Sequence, residues 1–254
     1  MARNSEAGDI FGDLVLACML LTRIPMPTQD GVRDVARSAW AWPLVGLLVG
    51  ALAALVATIA LALGLPTSLA AVAALGTSII TTGAMHEDGL ADTSDGFWGG
   101  RTIERRLEIM RDSRIGSYGV LALSLSVLAR WTALSALFAT GSIWVPLLVA
   151  GATSRTVMPI AMHLLPNARD DGLSHGTGRP DRQTVLIGLA LTSLVVLLLT
   201  GTGLLWIALV TAAALAGMIQ ISRQKTGGQT GDTLGATQQV CELAVLSTMI
   251  SLAS

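Results

Sequence analysis

Charge is what this 254-residue chain has least of: only 13% of its residues are Asp, Glu, Lys or Arg, against 52% that are hydrophobic. With a mean hydropathy of +0.65 and long uncharged runs, that scarcity argues against a soluble all-helical core and points to a polytopic membrane protein. Net charge is equally lacking. A balance of -1 at pH 7 offers no global excess to attract nucleic acid, so no nucleic-acid partner is expected. Cysteine is scarce as well. Cys18 and Cys241 stand far apart inside apolar segments, a setting that suits small buried hydrophobes better than a disulfide or a metal site. The first nine residues hold two acids and no clear cleavage site, so they do not resemble a removable signal peptide and the first helix is expected to stay in the mature protein. No repeat recurs at a fixed period, and no Gly-Lys-Ser/Thr Walker loop occurs.

The apolar runs supply the architecture. Residues 40–63, 69–85, 117–139, 143–165, 184–200, 204–221 and 236–253 predict about seven spans, the last less apolar and carrying Glu242. Residues 10–21 are too short to cross and end at Arg23, Pro25 and Pro27, which predicts a short N-terminal interfacial or half-inserted helix. The expected fold class is all-α, a polytopic integral membrane helical bundle forming one membrane-embedded unit over residues 1–254. Trp40 and Trp42 stand where an interfacial aromatic belt would open the first span. Gly46 and Gly50 form a small-xxx-small pair suited to close helix packing. Residues 101–114 alternate acid and base at helical spacing and predict an interfacial helix, and residues 167–183 predict a polar loop.

Charge placement gives an orientation. The short turns at 64–68, 140–142 and 201–203 hold no charge, whereas the opposite loops hold all 16 Lys and Arg except Arg130 and Arg155, which lie within spans. The positive-inside rule makes that charged face cytoplasmic and the chain a multi-pass protein of the cytoplasmic (inner) membrane. All 17 acids but Glu242 fall on the same face, which argues for one functional surface at the boundary and not a path through the bilayer.

The densest chemistry lies in residues 85–100, Met-His-Glu-Asp-Gly-Leu-Ala-Asp-Thr-Ser-Asp-Gly-Phe-Trp-Gly-Gly, where four carboxylates, a histidine and four glycines crowd together. On a helix, at about 100° per residue, Asp88, Asp92 and Asp95 differ in direction by only about 60° and share one face. Clustered carboxylates repel, and a hard cation such as Mg²⁺, bound by oxygen ligands and substrate phosphates, relieves the repulsion. A solvated acidic turn is the alternative, but surface acids are usually interspersed with Lys and Arg, and none occurs in this stretch. The candidate catalytic residues are Asp88, Asp92, Asp95 and His86, and the candidate metal ligands are Glu87, Asp88, Asp92, Asp95 and Asp112. Arg130, Arg155 and Glu242 are ionisable groups inside spans, costly unless paired or facing a polar cavity. They would either reach the acidic site or pair with one another. The 226–235 loop, with Gly231, Asp232 and Thr233, offers amides and hydroxyls as a phosphate cradle would. With Arg111, Arg130 and Arg155, these are the candidate substrate-binding residues. A solvated loop is the plainer reading of His175 and Arg179. Carboxylates, a cation and arginines together suit phosphoryl transfer.

The run His86-Glu-Asp-Gly-Leu-Ala-Asp-Thr-Ser-Asp-Gly96 closely resembles the signature of the cobalamin synthase family, the adenosylcobinamide-GDP ribazoletransferases. Arg23-Ile-Pro, Met110-Arg-Asp-Ser-Arg-Ile-Gly-Ser-Tyr-Gly119, Ser154-Arg155 and Thr230-Gly-Asp-Thr-Leu-Gly-Ala-Thr-Gln-Gln239 look like further motifs of that family in the same order. The resemblance implies Mg²⁺-dependent joining of adenosylcobinamide-GDP to α-ribazole or its 5′-phosphate with release of GMP, late in coenzyme B12 assembly. It implies that Asp88, Asp92 and Asp95, with Glu87 or Asp112, hold one or two Mg²⁺ ions, while Arg155 and the 226–235 loop meet the diphosphate. The expected partners are those substrates, the lipid bilayer, a second copy of the chain and other cobamide-assembly enzymes. The acidic run is also similar to the Asp-rich motif of CDP-alcohol phosphotransferases, but the Ala-Arg that follows Asp-Gly in that family is replaced by Phe97-Trp-Gly-Gly. A cation-coupled transporter is a further alternative; acids gathered at one boundary and no visible inverted repeat count against it.

Overall fold

The computed structural model describes residues 10–27 and 34–253, so the N-terminal stretch read for a signal peptide lies outside the described residues. The described residues form eleven α-helices, one 3-10 helix and no strand. Helix α1 (Ile10–Leu21) coincides with the short segment expected from sequence. A 3-10 helix (Val35–Ala41) then leads directly into α2 (Trp42–Ala62), which accepts Pro43 because the first turn of a helix has no amide bond to lose. There follow α3 (Thr67–Thr82), α4 (Met85–Gly99), α5 (Ile103–Ile109), α6 (Ser117–Ala139), α7 (Trp144–Leu164), α8 (Gly172–Thr177), α9 (Arg182–Thr200), α10 (Gly203–Thr226) and α11 (Gly231–Ala253).

Five stretches are long and apolar enough to cross a membrane: Val35–Ala62, α6, α7, α9 and α10. Helices α3 and α4 pass only as a pair bent by 86°, which raises the number to six, not the seven expected. Two physical reasons account for the difference. Helix α3 is only 16 residues long and ends in a corner. Helix α11 is long enough, but it carries Asp232, Gln238, Gln239 and Glu242 and buries all of these but Asp232 inside the bundle. It is an interior helix whose polar groups meet protein instead of lipid.

Burial sorts the rest. In the most apolar part of α7, 83% of residues are buried, against 11% in α10, so α7 lies at the centre and α10 at the rim. Helices α2 and α7 pack backbone to backbone, because a Cβ on Gly46 would strike the Gly151 carbonyl and one on Gly50 the Leu147 carbonyl. The small-residue pair therefore does what its spacing suggested. One apolar cluster gathers residues flanking the three uncharged turns, among them Ala60, Ala70, Phe138, Ile143 and Leu204. A second cluster lies toward the charged end and holds both cysteines as free buried thiols, with Leu21, Trp42, Met162 and Leu234. The tryptophans do not form a lipid-facing pair. Trp42 is 3% exposed within that cluster, and Trp40 donates its indole N–H to Asp13 of α1 at 2.9 Å.

Candidate active site

The acidic stretch is helical, as its spacing predicts, and a corner aims it. Gly83 (φ +65°) and Ala84 (φ +57°) are consecutive left-handed residues. Glycine adopts that conformation freely at the first, and no other described non-glycine residue has a positive φ like Ala84. Arg23 clamps the corner: its amide donates to the Thr81 carbonyl at 2.7 Å, and its side chain covers the face of Gly83 where a Cβ would stand. Having turned, α4 crosses α11 at two glycines. A Cβ on Gly89 would lie 2.8 Å from the Asp232 carbonyl, and one on Gly235 would lie 3.2 Å from Cα of His86. This close approach brings the Asp88 and Asp92 face of α4 beside Asp232, in the first turn of α11.

The electrostatics follow from that approach. Asp92 is half-buried among the charges of Asp88, Asp232 and Asp95, with Arg169 supplying the opposite sign. Arg169 itself is ion-paired to Asp232, whose carboxylate also accepts from the Thr230 hydroxyl. Beside these groups lies a cavity of about 260 Å³. Its polar lining includes Asp88, Arg169, Asp232, Ser174 and Gln229, and its apolar lining Leu20, Leu21, Trp42, Met158, Met162 and Leu234. Arg111 reaches the rim through a two-pronged pair to Asp171, 2.7 and 2.8 Å long.

The remaining sequence candidates have other partners. Asp95 is buried, and its two oxygens accept the Gly116 and Gly119 amides at 2.7 and 2.9 Å, capping the N-terminus of α6. Asp112 pairs with Arg114 on the surface at 2.8 Å. Thr233 is buried and exchanges hydrogen bonds with Thr230, closing the start of α11, while Gly231 lines the cavity. Glu87, one residue and about 100° from Asp88, faces the other way. It pairs with Arg130 at 3.1 Å. The same Arg130 nitrogen is 3.4 Å from Glu242, which pairs with Arg155 at 2.9 Å. Gln238, Gln239 and Ser154 bridge these charges. Two arginines and two glutamates on four helices thus form a charge-balanced buried layer, and neither arginine is among the described residues lining the cavity. Both arginines are paired, and Arg130 reaches the acidic stretch itself through Glu87.

His86 sits between layer and cavity. It is 1% exposed, it lines the cavity, and its Nε2 has no hydrogen-bond partner. Sequence reasoning did not single out Arg169, Gln229, Ser174 or the apolar wall. Arg169 lies in a charge-rich loop, and nothing in that loop's pattern marks which acid it meets. Among the described residues no group of three or more His, Cys, Asp or Glu is gathered closely enough to hold a metal ion alone. The donors present are nevertheless of the kind Mg²⁺ takes, one or two carboxylates completed by water and phosphate oxygens. The mutual repulsion around Asp92 is what such a cation would relieve.

Fold and site together define a polytopic helical membrane protein whose charged end holds a carboxylate-edged cavity, a setting for chemistry on an anionic substrate. Residues 13–250 match the family model described as cobalamin-5-phosphate synthase. The chain is 46% identical over 244 residues to the adenosylcobinamide-GDP ribazoletransferase of Bradyrhizobium diazoefficiens, covering 94% of this chain and 93% of the relative. It is 44% identical over 238 residues to that of Mesorhizobium japonicum (93% and 92%), and 40% identical over 261 residues to that of Brucella anthropi (98% and 99%). No solved structure matches. The chain belongs to the cobalamin-5-phosphate synthase family and is a transferase of cobalamin synthesis.

Proposed function

We propose that the chain joins adenosylcobinamide-GDP to α-ribazole, or to α-ribazole 5′-phosphate, with release of GMP, in a Mg²⁺-dependent reaction at the cytoplasmic side of the inner membrane. The observation that carries this reading is the meeting of Asp88 and Asp92 on α4 with Asp232 and Arg169 at the edge of one cavity. A ribose hydroxyl of the ribazole attacks the phosphorus nearer cobinamide. A new P–O bond forms, the P–O bond to GMP breaks, and the hydroxyl proton passes to a carboxylate of the α4 face. One or two of the carboxylates of Asp88, Asp92 and Asp232, completed by water and phosphate oxygens, would hold Mg²⁺, which supplies neutralisation of the diphosphate charge when bound. Arg169 and Arg111, both paired to carboxylates in this structure, are placed to exchange those partners for phosphate oxygens.

The test is GMP release from the two substrates by the purified chain in lipid nanodiscs, with and without Mg²⁺. Asp92→Asn should abolish release, and chelation should do the same to the unaltered protein. Near-normal turnover in either case would overturn the assignment.

A further inference from the structure

The cavity is two-faced, and its apolar half has no task in handling a diphosphate. Leu20 and Leu21 of α1, Trp42 of α2, Met158 and Met162 of α7 and Leu234 of α11 build it. Methionine sulfurs and an indole are the side chains that most favour a flat aromatic ring, through sulfur–aromatic and ring–ring contacts. Two side chains that line this cavity each carry a buried ring nitrogen without any partner among the described residues, Nε1 of Trp42 and Nε2 of His86. An indole N–H is a donor only, and buried donors in proteins are nearly always satisfied. An orphan of this kind calls for an acceptor brought by a ligand.

Resting on the transfer reading above, we propose that this apolar half is the pocket for the base of α-ribazole, with the Trp42 N–H donating to its one free ring nitrogen. Of the substrate parts, only that base has the required chemistry. Dimethylbenzimidazole is flat, apolar, without an N–H of its own, and presents a single sp² nitrogen acceptor. Guanine would set several donors and a carbonyl against Leu and Met, leaving them unpaired. A corrin ring is far too large for 260 Å³ and stays at the mouth. With the base seated between Trp42 and the methionines, the attached ribose is left to the polar lining with Asp88 and Asp232, where its hydroxyl is needed.

The test is direct binding of α-ribazole to the full chain in nanodiscs by calorimetry, beside an analogue in which the free ring nitrogen is replaced by C–H, an indole riboside. The unaltered protein should bind α-ribazole about tenfold more tightly than the indole analogue, and Trp42→Phe should reduce that preference to about onefold. GDP should not displace α-ribazole. Equal affinity of the unaltered protein for the two nucleosides, full discrimination retained by Trp42→Phe, or displacement by GDP would each overturn the proposal, and the first of these does not depend on whether the variant folds. Should the chain release no GMP yet show Trp42-dependent discrimination, the transfer reading fails while the pocket stands.

Discussion

Replacing Arg130 by Met tests the buried charge layer most directly. Arg130 is 1% exposed, and its Nη1 serves both Glu87 at 3.1 Å and Glu242 at 3.4 Å, while its Nε and Nη2 have no partner. Methionine fills much of the same volume but removes one of two positive charges, leaving two carboxylates to share Arg155. Breaking a buried pair in this way costs about 3–5 kcal/mol, because the abandoned charge has no water to return to. For a chain of this size each kcal/mol moves the melting midpoint by roughly 2–4 °C, so Arg130→Met should melt about 10 °C below the unaltered protein in detergent. Adding Glu87→Gln to that variant restores the balance of one arginine to one glutamate and should recover about half of the loss. The signature is therefore non-additive, a coupling of more than about 2 kcal/mol between residues 87 and 130. A midpoint for Arg130→Met within about 2 °C of the unaltered protein would refute the reasoning. So would a double variant whose loss equals the sum of the two single ones.

Two further outcomes follow from the site. Asp95→Ala orphans the Gly116 and Gly119 amides and should cost about 2–4 kcal/mol, read as a melting shift, with Asp95→Asn losing about half as much. Gly89→Ala drives a methyl into the Asp232 carbonyl, 2.8 Å away, so it should lower GMP release more than about tenfold with little change in membrane insertion. A loss under about threefold would mean that the α4–α11 approach does not set the site.

The bundle was legible wherever one residue pattern answers to one physical demand. Apolar length gave the spans, charge-free turns marked one end, and the 10–21 segment matched α1 residue for residue. Spacing also placed Asp88 and Asp92 on one helical face. The same angular argument would have turned Glu87 away from that face, since neighbours on a helix diverge by about 100°; grouping it with the metal ligands gave weight to its type over its direction. What spacing cannot supply is the partner on another helix. That Asp95 caps α6, that Arg130 meets Glu87 across 43 positions, and that Trp42 turns inward all depend on tertiary packing. The number of apolar spans, six against the seven expected, differs for a related reason: α11 is long enough to cross but polar where it meets other helices, so hydropathy does not pick it out.

The length of α3 has a consequence for depth. Sixteen residues reach about 24 Å, roughly 6 Å short of a hydrocarbon layer of about 30 Å, and the chain then turns sideways by 86°. With the uncharged turn before α3 level with the far headgroups, α4 would lie below the near ones. Soluble reactants would then descend to reach it, where fewer water molecules screen their phosphates and every pairing of charges is felt more strongly. The short helix thus sets the medium in which the reaction runs.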